Sequence, residues 1–302
     1  MDWLSAVEQL RKDGSPGVLV TVIKVRGHAP RDAGAKMVVG ADHTWGSVGG
    51  GNLEEVAVQR ARELIADLSS GGAAVPETQE SRLNEHARNR HGRQCCGGEV
   101  TLLLEPLPAR PVVAVFGVGH VGYELARILC RLEVQLHLVD SRADQLDQLR
   151  LADVTDGPAD VTVHHALLGE QVLELLPRGA HVLIMTHDHA EDFALCDAAL
   201  RLPDSAHGGL GSVGLIGSSA KWTSFRRKLA AEGHAEVDID RITSPIGLPA
   251  ISSKDPAMIA IGVATALVQK MQGVADRHAT SGRSNALSGS ETGMSMTKVA
   301  TL

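Results

Sequence analysis

The sequence predicts an α/β protein with a C-terminal Rossmann-like parallel-sheet domain preceded by a smaller α/β N-terminal domain. Three observations carry this. From residue 112 onward short apolar runs alternate with helical patterns, which implies a mainly parallel sheet with helices on both faces. Gly117-Val118-Gly119-His120-Val121-Gly122 lies between the first of those runs and a helix, and Asp140 ends the next run. Ahead of them, Pro106, Pro108 and Pro111 interrupt the chain where neither a helix nor a central strand is expected to continue.

Taken in order, residues 3–12 read as a short helix, and the β-branched run 18–25 reads as a buried strand. A polar loop marked by Gly and Pro follows, Arg26 to Gly34, and then two short strands, 36–40 and 43–48, turned at Ala41-Asp42. Gly49-Gly50-Gly51 leads into Asn52, the expected N-cap of an amphipathic helix over 53–68. Residues 69–94 are polar and read as irregular; Cys95-Cys96-Gly97-Gly98 then precedes a strand over 100–104. The second domain reads as strand 112–116, helix 121–132, strand 135–139, helix 142–151, strands 161–164 and 180–186, helix 190–201, strand 212–216, helix 219–232 and helix 255–272. The expected divisions are a first domain over 1–105, a Pro-rich linker at 106–111, a Rossmann-like domain over 112–273 and a disordered tail at 274–302.

Composition excludes several function classes. A net charge of −7 gives no general pull toward nucleic acid or an anionic membrane, and an aromatic share of 2 % argues against base stacking. The core must therefore come from Val, Leu, Ile and Ala. No apolar stretch is long enough to cross a bilayer, and Met1-Asp2-Trp3-Leu4 lacks the features of a signal peptide. Four cysteines make a poor disulfide framework for a chain of 302 residues. A cytoplasmic protein with neither nucleic-acid nor membrane partners is expected.

Five segments carry chemistry. In the Rossmann fingerprint, Gly117 allows the tight turn, Gly119 the close approach of a pyrophosphate and Gly122 close helix packing, with Asp140 as the acidic partner. NAD(P) or another nucleotide is the ligand class, although the fold alone does not require one. Gly49, Gly50 and Gly51, with Asn52 and Glu54 beyond them, free backbone N–H groups for a phosphate, or simply make a tight strand–helix turn. The loop 26–37 offers Arg31 and Lys36, suited to phosphate, or is an ordinary solvated loop. Cys95 and Cys96 are too close for an unstrained bond to each other and lack a zinc spacing; behind Arg93 and before two glycines, either is a reactive thiol or a packed one. Cys130 and Cys196 fall on apolar helix faces and are expected in the core. Thr186-His187-Asp188-His189 ends a strand where α/β sheets place ligands, with Asp188 or His189 capping the next helix.

Together these segments resemble the XdhC/CoxI family of xanthine dehydrogenase accessory factors. The resemblance rests on Gly27–Arg31 with Gly34–Met37, Gly46–Glu54, Gln94–Gly98, Phe116–Gly122 with Asp140–Arg142, Thr186–His189, Gly214–Ser218 and Pro245–Leu248, in order and reaching about residue 272. His28 departs from it, standing where the family often has Ser. The resemblance implies a chaperone rather than an enzyme, one that binds the molybdenum cofactor (molybdopterin), supports its sulfuration with a cysteine desulfurase and passes it to xanthine dehydrogenase in purine catabolism. Cofactor biosynthesis proteins are further partners it implies, and a homo-oligomer is expected. Gly49–Gly51, Arg31 and Lys36 would hold the cofactor's phosphate, while Cys95 or Cys96 would meet the molybdenum or receive sulfur. The Rossmann cleft and His187 complete the candidate binding residues. An NAD(P)-dependent oxidoreductase and a nucleotide-responsive regulator are the competing readings.

Overall fold

The computed structural model describes residues 1–69, 75–82, 98–202, 209–251 and 253–272. The first part is built on a five-stranded antiparallel sheet ordered β3-β2-β1-β5-β4. Its long central strand β1 (Gly17–Arg26) pairs with β2 (Lys36–Val39) on one side and β5 (Glu99–Leu107) on the other. β3 (Thr44–Gly46) and β4 (Glu77–Arg82) form the edges. Alternation along β2 sends Met37 and Val39 to one face and Val38 to the other. Met37 and Val39 join Val18, Val20, Leu53, Ala57 and Ala61 beneath α2 (Gly51–Ser69), whereas Val38 packs on Ala6 and Leu10 of α1 (Trp3–Lys12). The two helices therefore cover opposite faces of the sheet.

The second part is a six-stranded parallel sheet ordered β11-β10-β9-β6-β7-β8. Its strands are β6 (Val112–Phe116), β7 (Gln135–Asp140), β8 (Asp160–His165), β9 (His181–Ile184), β10 (Ser212–Leu215) and β11 (Ile242–Thr243). Counted from β6, the spatial order is 3-2-1-4-5-6, the doubly wound Rossmann arrangement, and its switch point lies between β6 and β9. α3 (His120–Leu129) and α9 (Pro256–Met271) cover one face over Val113, Val115, Leu136 and Leu138. On the other, α5 (Gly169–Leu175), α6 (His189–Arg201) and α7 (Ser219–Ala231) cover Ala114, Phe116, Val139 and Val182. Each of the buried Val, Leu and Phe side chains among these contributes about 1.5–3 kcal/mol. Cys130 and Cys196, only 3 % and 0 % exposed, lie in these cores as expected.

Several elements differ from the sequence reading. Helix 142–151 is replaced by a 3-10 turn (Ala143–Leu146) and a single helical turn, α4 (Ala152–Thr155). Asp147 breaks it, because its side chain accepts from the N–H groups of Leu149 (2.9 Å) and Arg150 (3.3 Å). β4 has no apolar residue to announce it; its ladder with β5 and the Arg60–Glu77 ion pair (2.7 Å) hold it. α5, α8 (Glu236–Ile239) and β11 are short additions. Asn52 is not the N-cap: α2 already starts at Gly51, and Asn52 is buried within its first turn. β5 runs on through Pro106 and Leu107 into the Pro-rich stretch. It can do so because β4 pairs only as far as Leu104, so Pro106 lies on an open edge on that side. The expected disordered tail, 274–302, and most of the irregular stretch 69–94 lie outside the described residues. No helix among the described residues is long and apolar enough to cross a membrane.

The two parts meet at a polar joint. Gln135, at the start of β7, donates from Nε2 to the carbonyls of Arg11 (3.0 Å) and Lys12 (3.2 Å) at the end of α1. Arg11 and Arg110 both reach Glu133, at 3.0 and 3.3 Å. The joint thus sits at the amino ends of the parallel strands and at the start of β1.

Candidate functional site

Two glycine turns stand out, each at the end of its sheet that faces away from the joint. At the first, β1, β3 and the loop 27–34 end, and α2, β2 and β5 begin. Gly49, Gly50 and Gly51 have φ of +134°, +72° and +61°, a run of left-handed backbone that only glycine adopts without strain. A Cβ on Gly49 would stand 3.0 Å from Pro30 Cγ, so loop and turn are packed together. Gly98 is pressed against the carbonyls of Arg26 and His28, where a Cβ would overlap both. Gly98 follows Cys96 by two residues in the chain. Cys95 and Cys96 themselves lie outside the described residues.

The first turn already encloses an oxyanion, and that oxyanion belongs to the protein. Glu54 Oε2 accepts from Ser47 Oγ (2.6 Å), Val48 N–H (3.2 Å) and Gly50 N–H (3.1 Å), while Gly49 N–H donates to Ser47 Oγ (3.1 Å). Lys36 is not brought to this turn. Its side chain lies on the α1 face, with Nζ donating to Thr21 Oγ1 (2.9 Å) and standing 5.4 Å over the Trp3 ring, whereas the turn leads into α2 on the opposite face. Arg31 follows Pro30 directly; it is exposed and has no hydrogen bond or ion pair among the described residues.

The second turn lies at the Rossmann switch point. Gly117 has φ +98°, and a Cβ there would overlap the Met185 carbonyl at the end of β9. A Cβ on Gly122 would overlap the Gly117 carbonyl. Packing alone therefore requires glycine at both positions. Gly119 is different: its φ is −69°, and the nearest atom to an added Cβ is Arg142 Nη2, 3.7 Å away. The fold does not need glycine at 119, which leaves an open approach to the start of α3.

Asp140 is 2 % exposed and fully bonded. Its Oδ1 accepts from Arg142 N–H and Nε–H (both 2.9 Å), and its Oδ2 from Val118 N–H (2.7 Å) and Arg142 Nη2 (2.9 Å). Those four bonds use the four acceptor positions of a carboxylate. Burial alone would raise the Asp140 carboxyl, but the Arg142 side chain and the two backbone donors hold it below its ordinary value. Asp140 is thus spent on the loop and on Arg142, and it has no acceptor left for a ribose hydroxyl.

His187 stands at the same carboxyl edge, about half exposed, with Nδ1 3.7 Å from Glu191 Oε2. Glu191 also faces Ser141 Oγ at 3.4 Å; burial raises its carboxyl, and His187 pulls the other way. Asp188 caps α6 by accepting from Ala190 N–H (2.6 Å), as the sequence suggested. Sequence reading missed Asp192, 1 % exposed, which accepts from Thr186 N–H (3.0 Å) and Oγ1 (2.8 Å) and pairs with Lys221. Lys221 also donates to the Ile216 carbonyl (3.1 Å), tying β9 to the turn after β10. The pair spans 29 positions of chain, so no local pattern announces it. Burial pushes the Cys196 thiol up to about 12, which leaves it protonated and unreactive at neutral pH.

Comparison with known proteins decides the family. Residues 113–267, just over half of the chain, match the model of the XdhC Rossmann domain, and residues 10–74 match that of the XdhC and CoxI family. The chain belongs to the XdhC/CoxI family. This XdhC/CoxI chain is 25 % identical over 272 residues to YqeB of Escherichia coli K12, whose function is itself uncharacterized; the match covers 89 % of the chain and 46 % of YqeB. It is 38 % identical over 112 residues to PaoD of the same organism, described as a molybdenum cofactor insertion chaperone, covering 36 % of the chain and 32 % of PaoD. The matches thus span about half or less of these curated relatives. A solved structure described as a xanthine dehydrogenase from Bacillus halodurans has 19 % identity and a TM-score of 0.45, over 90 % of this chain and 96 % of that one.

Proposed function

We propose that this chain is a cytoplasmic maturation chaperone whose cargo is the molybdenum cofactor, supporting its sulfuration and its insertion into a molybdoenzyme of the xanthine dehydrogenase type. The similarity to PaoD at 38 % identity, within shown membership of the XdhC/CoxI family, carries the reading. The N-terminal turn supplies a fitting chemistry. Its backbone N–H groups bind an oxyanion, and the exposed, uncommitted Arg31 stands next to the Pro30–Gly49 contact. The phosphate of the cargo meets Arg31 first, and it reaches the Val48 and Gly50 N–H groups only where it displaces Glu54. Lys36, on the other face, takes no part. Cys95 or Cys96 supplies the soft thiolate that faces the molybdenum or carries sulfur from a cysteine desulfurase.

The test is cofactor retention and activation of a target molybdoenzyme by Cys95→Ala, Cys96→Ala and Arg31→Ala variants. The reading expects Arg31→Ala to weaken retention roughly 10-fold or more, the share of one charged hydrogen-bonding group. At least one cysteine variant is expected to lose activation. Full retention and full activation in all three would contradict it. An NAD(P)-dependent oxidoreductase is the second reading, favoured by the open approach at Gly119, and it requires nicotinamide turnover by the purified chain.

A further inference from the structure

Beside the Rossmann turn lies a cleft of about 510 Å³ lined by Gly119, His120, Tyr123, Arg142, Gln145 and Arg150, and closed by the start of α9. From it, we infer that the Rossmann domain binds a pyrophosphate-linked adenosine nucleotide whose ribose carries a phosphomonoester, and that Arg142 and Arg150 select that phosphate. This goes beyond the cofactor-chaperone reading and does not depend on it.

Three observations converge. The acidic residue that ends the second Rossmann strand reads an unmodified ribose through its hydroxyls. Here that residue is Asp140, and all four of its acceptor positions are filled by Arg142 and Val118. A bare ribose finds no acceptor there. What it meets instead is the guanidinium that neutralises Asp140. Arg142 uses Nε–H and one Nη2–H on Asp140, so three of its five N–H donors face elsewhere, and its Nη2 stands 3.7 Å from where a Cβ of Gly119 would lie. An arginine at this position suits a ribose phosphate better than a bare hydroxyl pair, because its remaining donors match the phosphate oxygens.

Arg150 adds a second cation to the same cleft. Its guanidinium stacks 4.5 Å from the centre of the Tyr123 ring and donates to the Gln145 carbonyl, so it is held in place rather than free to wander. The acidic groups of the lining are committed elsewhere. Glu124 pairs with Arg127 (3.2 Å), and Asp255 caps α9 by accepting from Ala257 N–H (2.9 Å). The cleft therefore presents two cations to a ligand, and the open face of Gly119 places a pyrophosphate between it and α3.

Calorimetric titration of the full chain with NADP+ against NAD+, and with coenzyme A against dephospho-coenzyme A, tests this. The first pair carries the phosphate at the 2′ position and the second at the 3′ position. In at least one pair the phosphorylated member is expected to bind ~30-fold or more tightly, as two charge-assisted contacts imply. The pair that shows the difference identifies the position. Arg150→Ala is expected to cut that ratio about 10-fold with the fold intact, since Arg150 holds no buried partner. Arg142→Ala frees Asp140 and is expected to bring the ratio to one or below; a purely structural role would weaken both members alike and leave the ratio unchanged. Equal binding within both pairs, no binding of any of the four, or an unchanged ratio in both variants would overturn the inference.

Discussion

The two glycine turns solve the same problem in opposite ways. Each gathers backbone N–H groups at the start of a helix, and each satisfies some of them with a carboxylate of its own. At the N-terminal turn, Glu54 is that carboxylate, and among the described residues it meets only hydroxyl and backbone donors. At the Rossmann turn, Asp140 meets Val118 N–H and is neutralised by Arg142, which stays at the lip of a cleft. The first turn is filled and must exchange its occupant to bind a phosphate. The second is pre-organised beside an open, cationic space. Both turns lie at sheet ends that face away from the joint.

Substitutions break or sharpen this contrast. The largest effect is expected at Gly117→Ala, which combines φ +98° with overlap on the Met185 carbonyl and should cost about 4 kcal/mol. Its partner, Gly119→Ala, should shift the denaturation midpoint by less than the equivalent of ~0.5 kcal/mol while weakening nucleotide binding. Similar midpoints for the two would remove the distinction between a packing glycine and a ligand glycine. Next, Gly98→Ala forces a Cβ onto the Arg26 and His28 carbonyls and should destabilise the N-terminal part by about 2–3 kcal/mol, read as loss of its amide-exchange protection.

Asp140→Asn should cost roughly 2 kcal/mol at neutral pH, because Arg142 loses its charged partner. The sign with pH follows from the lowered folded-state carboxyl. Its contribution is complete above the unfolded value, near pH ~4, and is lost as pH falls through the lower folded value. The gap between wild type and variant, measured by urea denaturation, should therefore be constant from neutral pH down to about pH 5 and shrink below that. A gap that widens on acidification would contradict the ion pair. Among the substitutions at the two carboxylates, the smaller effect is expected for Glu54→Gln, about 1 kcal/mol, since an amide oxygen still accepts from the turn.

Much of this was legible in the sequence because local chemistry encodes it. β6, wholly buried, reads as an apolar run, and Gly117–Gly122 reads as a turn into a helix with Asp140 one strand later. What was not legible depends on partners distant in the chain. β4 is Glu-Thr-Gln-Glu-Ser-Arg, a strand only because β5 pairs with it. Lys36 sits in the right stretch for a phosphate loop, but strand alternation turns it to the opposite face from α2. Asp140 reads as the acidic partner of a nucleotide fingerprint because spacing reveals position and not occupancy; Arg142, two residues on, fills it. Nor does a glycine triplet disclose that Glu54 already occupies the donors it exposes.

The most direct measurement of the central claim is identification of what the wild-type chain carries when purified from molybdenum-replete cells, by metal analysis together with the fluorescence of the oxidised pterin. The account predicts molybdenum and pterin in equal amounts, bound to the chain and released together on denaturation. Protein that carries neither, from cells shown to make the cofactor, would contradict it.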